Sequence, residues 1–493
     1  MKKIGILIAL AGLWGDPVAS AEPTYVQVPG LMHAHTTAST GTYTLDKLIE
    51  RAQQEGIEAI VLTENFTLQF EYGLFPFRKW LRMTRKYPSL HPSDMEAYLQ
   101  QIRAARARYP NVILIPGIEI CPHYFWTGSL LSKDLTMYNG QKNLLVVGLE
   151  DPKAYKILSR IIERSSRYTA RSVLLFLIPT GIFAAGIALL RLKRRIHRRI
   201  GPAMVVQEKR YLVSGLLVAT TGAIAFAYHV PFKVHEYDPY HEADLVPHQK
   251  VINRVHKLGG MTFWSMPEAR DFSTHSIGYG TITIRTDPYP DDLIATTGYT
   301  GFGAIYADNI TFTDLGNGWD QILTQYCKGF RSAPVWGIGE AAYHEESAGK
   351  RIGDVQTVFL VRTKSQVEVE HALRSGNYYA MFKKTEAAPL RLSTFFITSE
   401  KDTAQIAGMG EELVTDAHPI VHVTVSGDSL SRPFRLDLIR SGELLYRTQA
   451  APPYELAYRD PSPVILGKKN FYRIKISSPS TDIVSNPIFV RSP

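Results

Sequence analysis

The stretch Leu31-Met-His-Ala-His-Thr-Thr-Ala-Ser-Thr-Gly41 puts two histidines one residue apart, just after a short apolar run. In an extended strand residues i and i+2 face the same side, so His33 and His35 are expected to aim both imidazoles at one metal ion. Such pairs also occur by chance on solvated strands, so the weight comes from what lies downstream. Thr44 can cap a helix whose Leu45, Leu48, Ile49 and Ala52 recur at the helical period, and Gly56 is placed to end it. The run 57–63 then reads as a buried strand ending in Glu64. Ser93 with Glu96 predicts a capping box for a helix to about Arg108, followed by a strand over 112–115 and then Glu119. Another strand is expected over 143–149, with a helix starting at Asp151-Pro152. The alternation resumes with helix 247–258, strand 261–264, strand 303–307, helix 318–328 and strand 335–338, with His344 beyond it. A last strand, 355–361, precedes a helix capped by Ser365. This order predicts an α/β body of parallel strands with helices outside, whose strand ends gather His33, His35, Glu64, Glu119 and His344 on one face.

Of 493 residues 45% are hydrophobic and 20% charged, enough to bury a large core. The net charge of +9 invites a nucleic-acid reading, but +7 of it sits in residues 191–210, where eight bases stand with one acid. The body is nearly neutral and has no field to steer a polyanion. Residues 1–21 read as a signal peptide: Lys2 and Lys3, an apolar stretch from Ile4 to Trp14, then Ala19-Ser20-Ala21 as a cleavage site. Ser172 to Leu190 and Tyr211 to Phe232 are 19 and 22 residues without a formal charge. Gly181, Gly186, Gly215 and Gly222 would let two helices approach closely. The alternative is a pair of buried core helices. The basic loop 191–210 between them favours a hairpin dipping into lipid from outside, with residues 22–171 and 233–493 both on the outer side.

After about Lys384 the helical period disappears, and short alternating segments over 385–493 predict a small antiparallel β-sandwich. Two cysteines, Cys121 and Cys327, exclude a disulfide scaffold; they could pair with each other or sit as buried thiols. The bases Arg78, Lys79, Arg82, Arg85 and Lys86 are expected on one solvated face of a helix, and the His, Asp and Glu cluster from His235 to His248 on a juxtamembrane linker.

The opening motif, its helix and Gly56-Ile-Glu-Ala-Ile-Val-Leu-Thr-Glu-Asn65 resemble the start of the polymerase and histidinol phosphatase (PHP) domain. Further echoes are Pro116-Gly-Ile-Glu119, the stretch 256–267 and Gly339-Glu-Ala-Ala-Tyr-His344. The resemblance implies a (β/α)7-type barrel, here interrupted by the transmembrane hairpin, whose strand-end residues bind up to three divalent metals. It assigns His33 and His35 to the opening pair, Glu119 to the bridging carboxylate and His344 to the last histidine, with Glu64 standing where the family has Asp. Asn65, Asn143, Met266 and Ala342 depart from ligand positions of the pattern. That depletion points to one divalent ion (Zn, Mn or Fe) rather than three, with Glu340 or His123 as a further ligand. Two functions follow. One is a metal-dependent phosphoesterase using water activated by the ion as nucleophile; the other is an inactive remnant that binds a small phosphorylated ligand as sensor or scaffold. Transport is disfavoured because two spans leave little room for a pathway. The resemblance to bacterial members places the chain in the cytoplasmic (inner) membrane, its partner the lipid bilayer, with the soluble domains on the extracytoplasmic, periplasmic side; no nucleic acid is expected.

Overall fold

The computed structural model describes residues 25–493 except 75–76, 79, 163–167, 235–236, 278–279, 309, 347–349, 387 and 428–432. The signal stretch 1–21, and His235, Glu236 and Lys79, therefore lie outside the described residues.

The fold is mixed α/β. Seven strand segments surround the main core: β1 (Val26–Ala34), β2 (Ala59–Leu62, resumed at Glu64–Asn65), β3 (Ile113–Ile115, resumed at Gly117–Ile120), β4 (Leu144–Val147), β5 (Met261–Trp264), β6 (Gly301–Ile305) and β7 (Trp336–Gly339). They read as unbroken apolar runs because both faces are covered; Ala59–Leu62 and Leu144–Val147 are buried throughout. Thr63 and Pro116, which has no N–H for the ladder, break two of them; β2 and β3 stay paired with each other across the break, but the outer neighbour is β1 before it and β4 after it. β1 pairs with β2 and β2 with β3, while the resumed segments pair with each other and lead on to β4, β5, β6 and β7. The chain after β7 returns to β1 through Ala341 N to Met32 O at 3.0 Å and Tyr343 N to His33 O at 2.8 Å. Backbone hydrogen bonds thus join the seven in a cycle.

The expectation of parallel strands fails at two places, at β4 and at the last strand, 355–361, which runs antiparallel to β1. β4 runs antiparallel to both the resumed β3 and β5. The link from Ile120 to Leu144 is not a helix but the strands Phe125–Thr127 and Leu135–Tyr138, and it brings the chain back at the end it left. These strands join Asp271–Ile277 and Gly280–Thr286 in a four-stranded cap. Beside it lies a hairpin of Gln69–Gly73 and Arg82–Lys86, and Phe70, Tyr72, Trp126 and Met137 fill a core between them. Of the bases expected on a helix, Arg82, Arg85 and Lys86 are on a strand, because residues 82–86 complete the ladder of 69–73, and Arg78 is in the turn before it.

Helices α1 (Leu45–Gln54), α2 (Met95–Arg108) and α3 (Pro152–Ile162) flank the first half. Thr44 caps α1 by accepting from Lys47 N. Ser93 does not cap α2; Asp94 precedes it and accepts instead from His91 N at 2.8 Å. After α3 come α4 (Ala170–Arg191), α5 (Leu212–His229) and α6 (Val246–Lys257). α4 and α5 pack side by side through glycines: a Cβ at Gly186 would strike the backbone of Ala219, and one at Gly222 that of Phe183. Gly181 meets nothing within 4 Å and takes no part. Only 11% and 17% of their apolar windows are buried, so they are not core helices of a soluble body. Between them the expected loop is a two-stranded ribbon, Lys193–Ile200 with Ala203–Arg210, turning at Gly201 with φ +62°.

Helices α7 (Pro290–Ala295), α8 (Gly318–Cys327) and α9 (Gln366–Ser375) cover the second half. β8 (Val355–Val361) pairs antiparallel with β1, and β9 (Tyr378–Lys383) with β8. β9 also pairs with Thr481–Ser485, so one sheet runs from the first strand into the C-terminal sandwich across residue 384. The facing layer is Arg391–Ser399, Ile406–Gly408, Pro419–Ser426 and Tyr454–Arg459, and a second apolar core fills the gap. The buried Arg473 guanidinium grips Asp320 on α8 at 2.6 and 2.8 Å, tying sandwich to body.

Candidate metal centre

His33 reaches its place by a route that simple strand alternation does not describe. In the β1–β2 ladder Met32 pairs with Val61 and Ala34 with Leu62, which leaves His33 as the extra residue of a bulge. Its φ is +66°, the left-handed region. The bulge swings the His33 ring towards His35, their centroids 5.0 Å apart. Glu119, on resumed β3, completes a buried group of three whose ligand atoms lie within 4.8 Å of one another.

The protonation of both rings follows from their hydrogen bonds. His33 Nδ1 lies 2.6 Å from Glu340 Oε1, and a carboxylate only accepts, so this nitrogen carries the hydrogen. Glu340 is held in turn by Ser265 Oγ at 2.6 Å and Met266 N at 2.9 Å. His35 Nδ1 lies 3.3 Å from Ser39 Oγ. Ser39 donates its one hydrogen to Glu64, so it accepts from His35. The two Nε2 atoms then face each other at 3.0 Å, so that His33, when protonated, donates its Nε2 hydrogen to His35. Loss of that proton would leave two lone pairs converging beside a carboxylate, a donor set for a cation. Glu119 stands at 3.5 Å from His33 Nε2 and 3.6 Å from His35 Nε2. First-row ions bind nitrogen and oxygen at about 2.0–2.2 Å, which separates tetrahedral ligands by roughly 3.3–3.6 Å. The three residues fit a divalent ion by donor chemistry and by spacing.

Burial would depress the His33 imidazole, but the Glu119 carboxylate, with Glu340 behind it, overcomes this and raises it to about 9. Burial would likewise raise Glu119, yet the charge of His33 holds it down to about 2. His35 is driven well below the ordinary range by burial, against the pull of Glu119 and with His33 and His344 adding to the depression. The centre thus places one positive charge beside Glu119.

The other expected residues stand around this trio in different roles. Glu64 is not among the three: Thr36 N at 3.0 Å, Thr36 Oγ1 at 2.5 Å and Ser39 Oγ engage its oxygens, and through Ser39 it fixes the His35 tautomer. Glu340, expected as a further ligand, instead orients His33. His123 lies elsewhere, with Nε2 3.2 Å from the His241 carbonyl. His344 stacks on His35 at 4.1 Å and 8°. Thr40 donates to Asn65 Oδ1 at 2.6 Å and so accepts from His344 Nδ1 at 3.0 Å, leaving His344 Nε2 without a hydrogen. Asn65 and Asn143 donate to the two oxygens of Glu119 at 2.6 and 2.7 Å. Met266 and Ala342, at φ +43° and +44°, line the cavity without offering a hard ligand.

His33, Glu119 and His344 open onto a cavity of about 520 Å³ roofed by the cap. Arg270 and Gln141 also line it, and nothing in their sequence context singles them out. Cys121 and Cys327 form no disulfide, and burial pushes the Cys327 thiol up to about 12. In the cluster expected on a solvated linker, His248 is instead buried and stacked on Trp264.

No family model matches the chain, and no curated protein matches it. Solved structures similar to it are PHP-like metal-dependent phosphoesterases and an amidohydrolase, all at low identity. A two-domain protein containing a predicted PHP-like metal-dependent phosphoesterase from Bacteroides vulgatus is 11% identical, with 92% of this chain and 90% of that chain covered and a TM-score of 0.35. A putative metal-dependent phosphoesterase from Bifidobacterium adolescentis is 14% identical over 66% of this chain and 91% of that one, with a TM-score of 0.29. An amidohydrolase from Chromobacterium violaceum, with bound sulfate and no metal, is 14% identical over 66% and 89%, with a TM-score of 0.27.

Proposed function

We propose that the chain is a membrane-held, extracytoplasmic PHP-like hydrolase that binds one divalent ion and cleaves a phosphoester. The observation that carries this reading is the buried convergence of His33, His35 and Glu119, the two Nε2 atoms 3.0 Å apart and the carboxylate 3.5 Å from His33. The cycle of seven strand segments supports a distorted (β/α)7 barrel, and the exposed apolar pair α4–α5 with its basic ribbon supports a hairpin in lipid.

His33, His35 and Glu119 would hold the ion, with His344 Nε2 directed to the same cavity. A divalent ion there supplies Lewis acidity to a phosphoryl oxygen and lowers the pKa of an attacking water. The chain's own residues do the rest. Glu340 and Glu64, the latter through Ser39, keep both histidines in the ligating tautomer. Arg270 offers a guanidinium to the phosphate, and Phe70 and Met137 in the roof limit access of bulk water. The amides of Asn65 and Asn143 satisfy Glu119 where a bridging carboxylate would meet further ions, which supports one ion rather than three.

That same substitution supports a second reading, a remnant that binds the ion and a phosphorylated ligand without turnover. Metal analysis of the purified full chain for Mn, Fe and Zn, paired with a generic phosphodiester assay, separates the two. Stoichiometric metal and turnover, both lost in His33→Ala, support the hydrolase. Metal without turnover supports the remnant, and an absence of bound metal refutes both. A reporter fused near Arg198 is expected on the cytoplasmic side, and an external signal would overturn the orientation.

A further inference from the structure

Building on the membrane placement and the metal centre proposed above, we propose that the substrate is drawn from the bilayer. It is a phosphate-bearing lipid whose headgroup occupies a second cavity beside the hairpin.

This cavity, of about 620 Å³, lies where the outer ends of α4 and α5 meet the cap. Arg171 comes from the first turn of α4, Tyr228 and His229 from the last turn of α5, and Arg78 and Arg82 from the hairpin at 69–86. Three guanidiniums thus face two carboxylates, Glu71 and Asp238. Glu71 lies 3.4 Å from Arg82, and Asp238 is engaged by His241 at 3.0 Å and by Tyr240 N. Arginine suits a phosphate because its planar fork can bind two oxygens at once.

Two connections turn this basic cavity into a lipid site. Inward, it shares the wall residues Leu68, Phe70 and Cys121 with the cavity that opens onto His33 and Glu119. Outward, Phe77 adjoins Arg78 in sequence but lines a different hollow, an apolar groove of about 450 Å³ along α4 and α5 with Phe183, Ile187 and Ile224. Neighbouring residues therefore border an apolar channel in the span and a basic cavity at its edge, matching an acyl chain joined to an anionic head. Trp80 and Leu81 at the same tip are 63% and 55% exposed, as expected of side chains that rest in a lipid interface.

The test uses the delipidated full chain in detergent, titrated with phosphatidic acid or phosphatidylcholine and read by native mass spectrometry. Phosphatidic acid should be retained at least about tenfold more tightly than phosphatidylcholine, and the triple variant Arg78→Gln, Arg82→Gln, Arg171→Gln should abolish that preference. Glu71→Gln removes an opposing charge and should strengthen retention, a gain that a folding defect cannot imitate. Equal retention of both lipids, or a preference unchanged in the triple variant, refutes the proposal. Inorganic phosphate at millimolar concentration should not displace the lipid; full displacement would assign the cavity to a soluble phosphate and refute the lipid source. His33→Ala should lose metal and keep the lipid. Lipid bound by a wild-type chain that never takes up metal would sink the hydrolase reading alone, whereas metal uptake without lipid preference would sink this one alone.

Discussion

Replacing Glu340 by Gln tests the metal centre without touching a proposed ligand. Glu340 makes three contacts: it accepts from Ser265 Oγ at 2.6 Å, from Met266 N at 2.9 Å and from His33 Nδ1 at 2.6 Å. Met266 N needs an acceptor at the Oε2 place, so a glutamine sets its carbonyl oxygen there and its amide N–H₂ at the Oε1 place, facing Ser265 Oγ, which can turn to accept, and His33 Nδ1. That donor forces Nδ1 to accept, moves the hydrogen to Nε2 and points it at the place where the ion must sit. Loss of a partner of this kind weakens metal binding about 10–100-fold, or about 1.4–2.7 kcal/mol. Because two of three contacts survive and the side chain keeps its volume, Tm of the metal-free chain should move by only a few degrees. Isothermal titration with Zn²⁺ or Mn²⁺ measures the first quantity and thermal melting the second. An affinity equal to wild type would refute the tautomer relay, since it would mean that His33 ligates, if at all, without needing Glu340.

Four further outcomes follow from other parts of the molecule. Gly303→Ala should lower metal occupancy, since its methyl would collide with Glu340 Oε2, and normal occupancy measured by plasma mass spectrometry would contradict the packing. His248 is pushed down to about 3 by burial and then by the Lys142 charge, so the unfolded chain binds its proton first. Its contribution is complete above pH 6.5 and drains away, by a few kcal/mol, as pH falls towards 3; His248→Phe should flatten the acid limb of the Tm–pH curve. In the hairpin, Gly222→Leu should cost roughly 1–3 kcal/mol by wedging α4 from α5 whereas Gly181→Leu should be silent, as melts in detergent can show. Arg473→Met, which strands the buried Asp320 carboxylate, should destabilise by about 3–5 kcal/mol in chemical unfolding.

Much of the centre is legible in the chain, though for partly different reasons than spacing suggests. The pair His33 and His35 reads correctly as a convergent couple, but the cause is a bulge at His33, and no local residue preference announces a bulge. Glu119 and His344 read as strand-end groups because the apolar runs before them are unmistakable. Glu64 and Glu340 read as ligands because carboxylates at strand ends look alike; only the positions of Ser39 and of the His33 ring, set by chain folding far from each, show that they serve the histidines. Asn65 and Asn143 read as losses, whereas in space their amides complete Glu119. The cap escapes notice because strands such as Asp271–Ile277 alternate among polar residues and bury little, so hydrophobic period carries no signal there.

The insertion point of α4 and α5 has its own consequence. Val147 and Met261 sit opposite each other in one ladder, so the apolar hairpin of α4 and α5 is a detour that leaves and rejoins the body between two adjacent strands. The entropy of closing such an excursion grows only with the logarithm of its length. The body should therefore fold whether the detour is long, short or replaced by a brief tie from α3 to α6. Displacement of α4 and α5 would then reach the histidines through the cap, whose residues line both cavities, rather than by tugging on the register of β4 and β5.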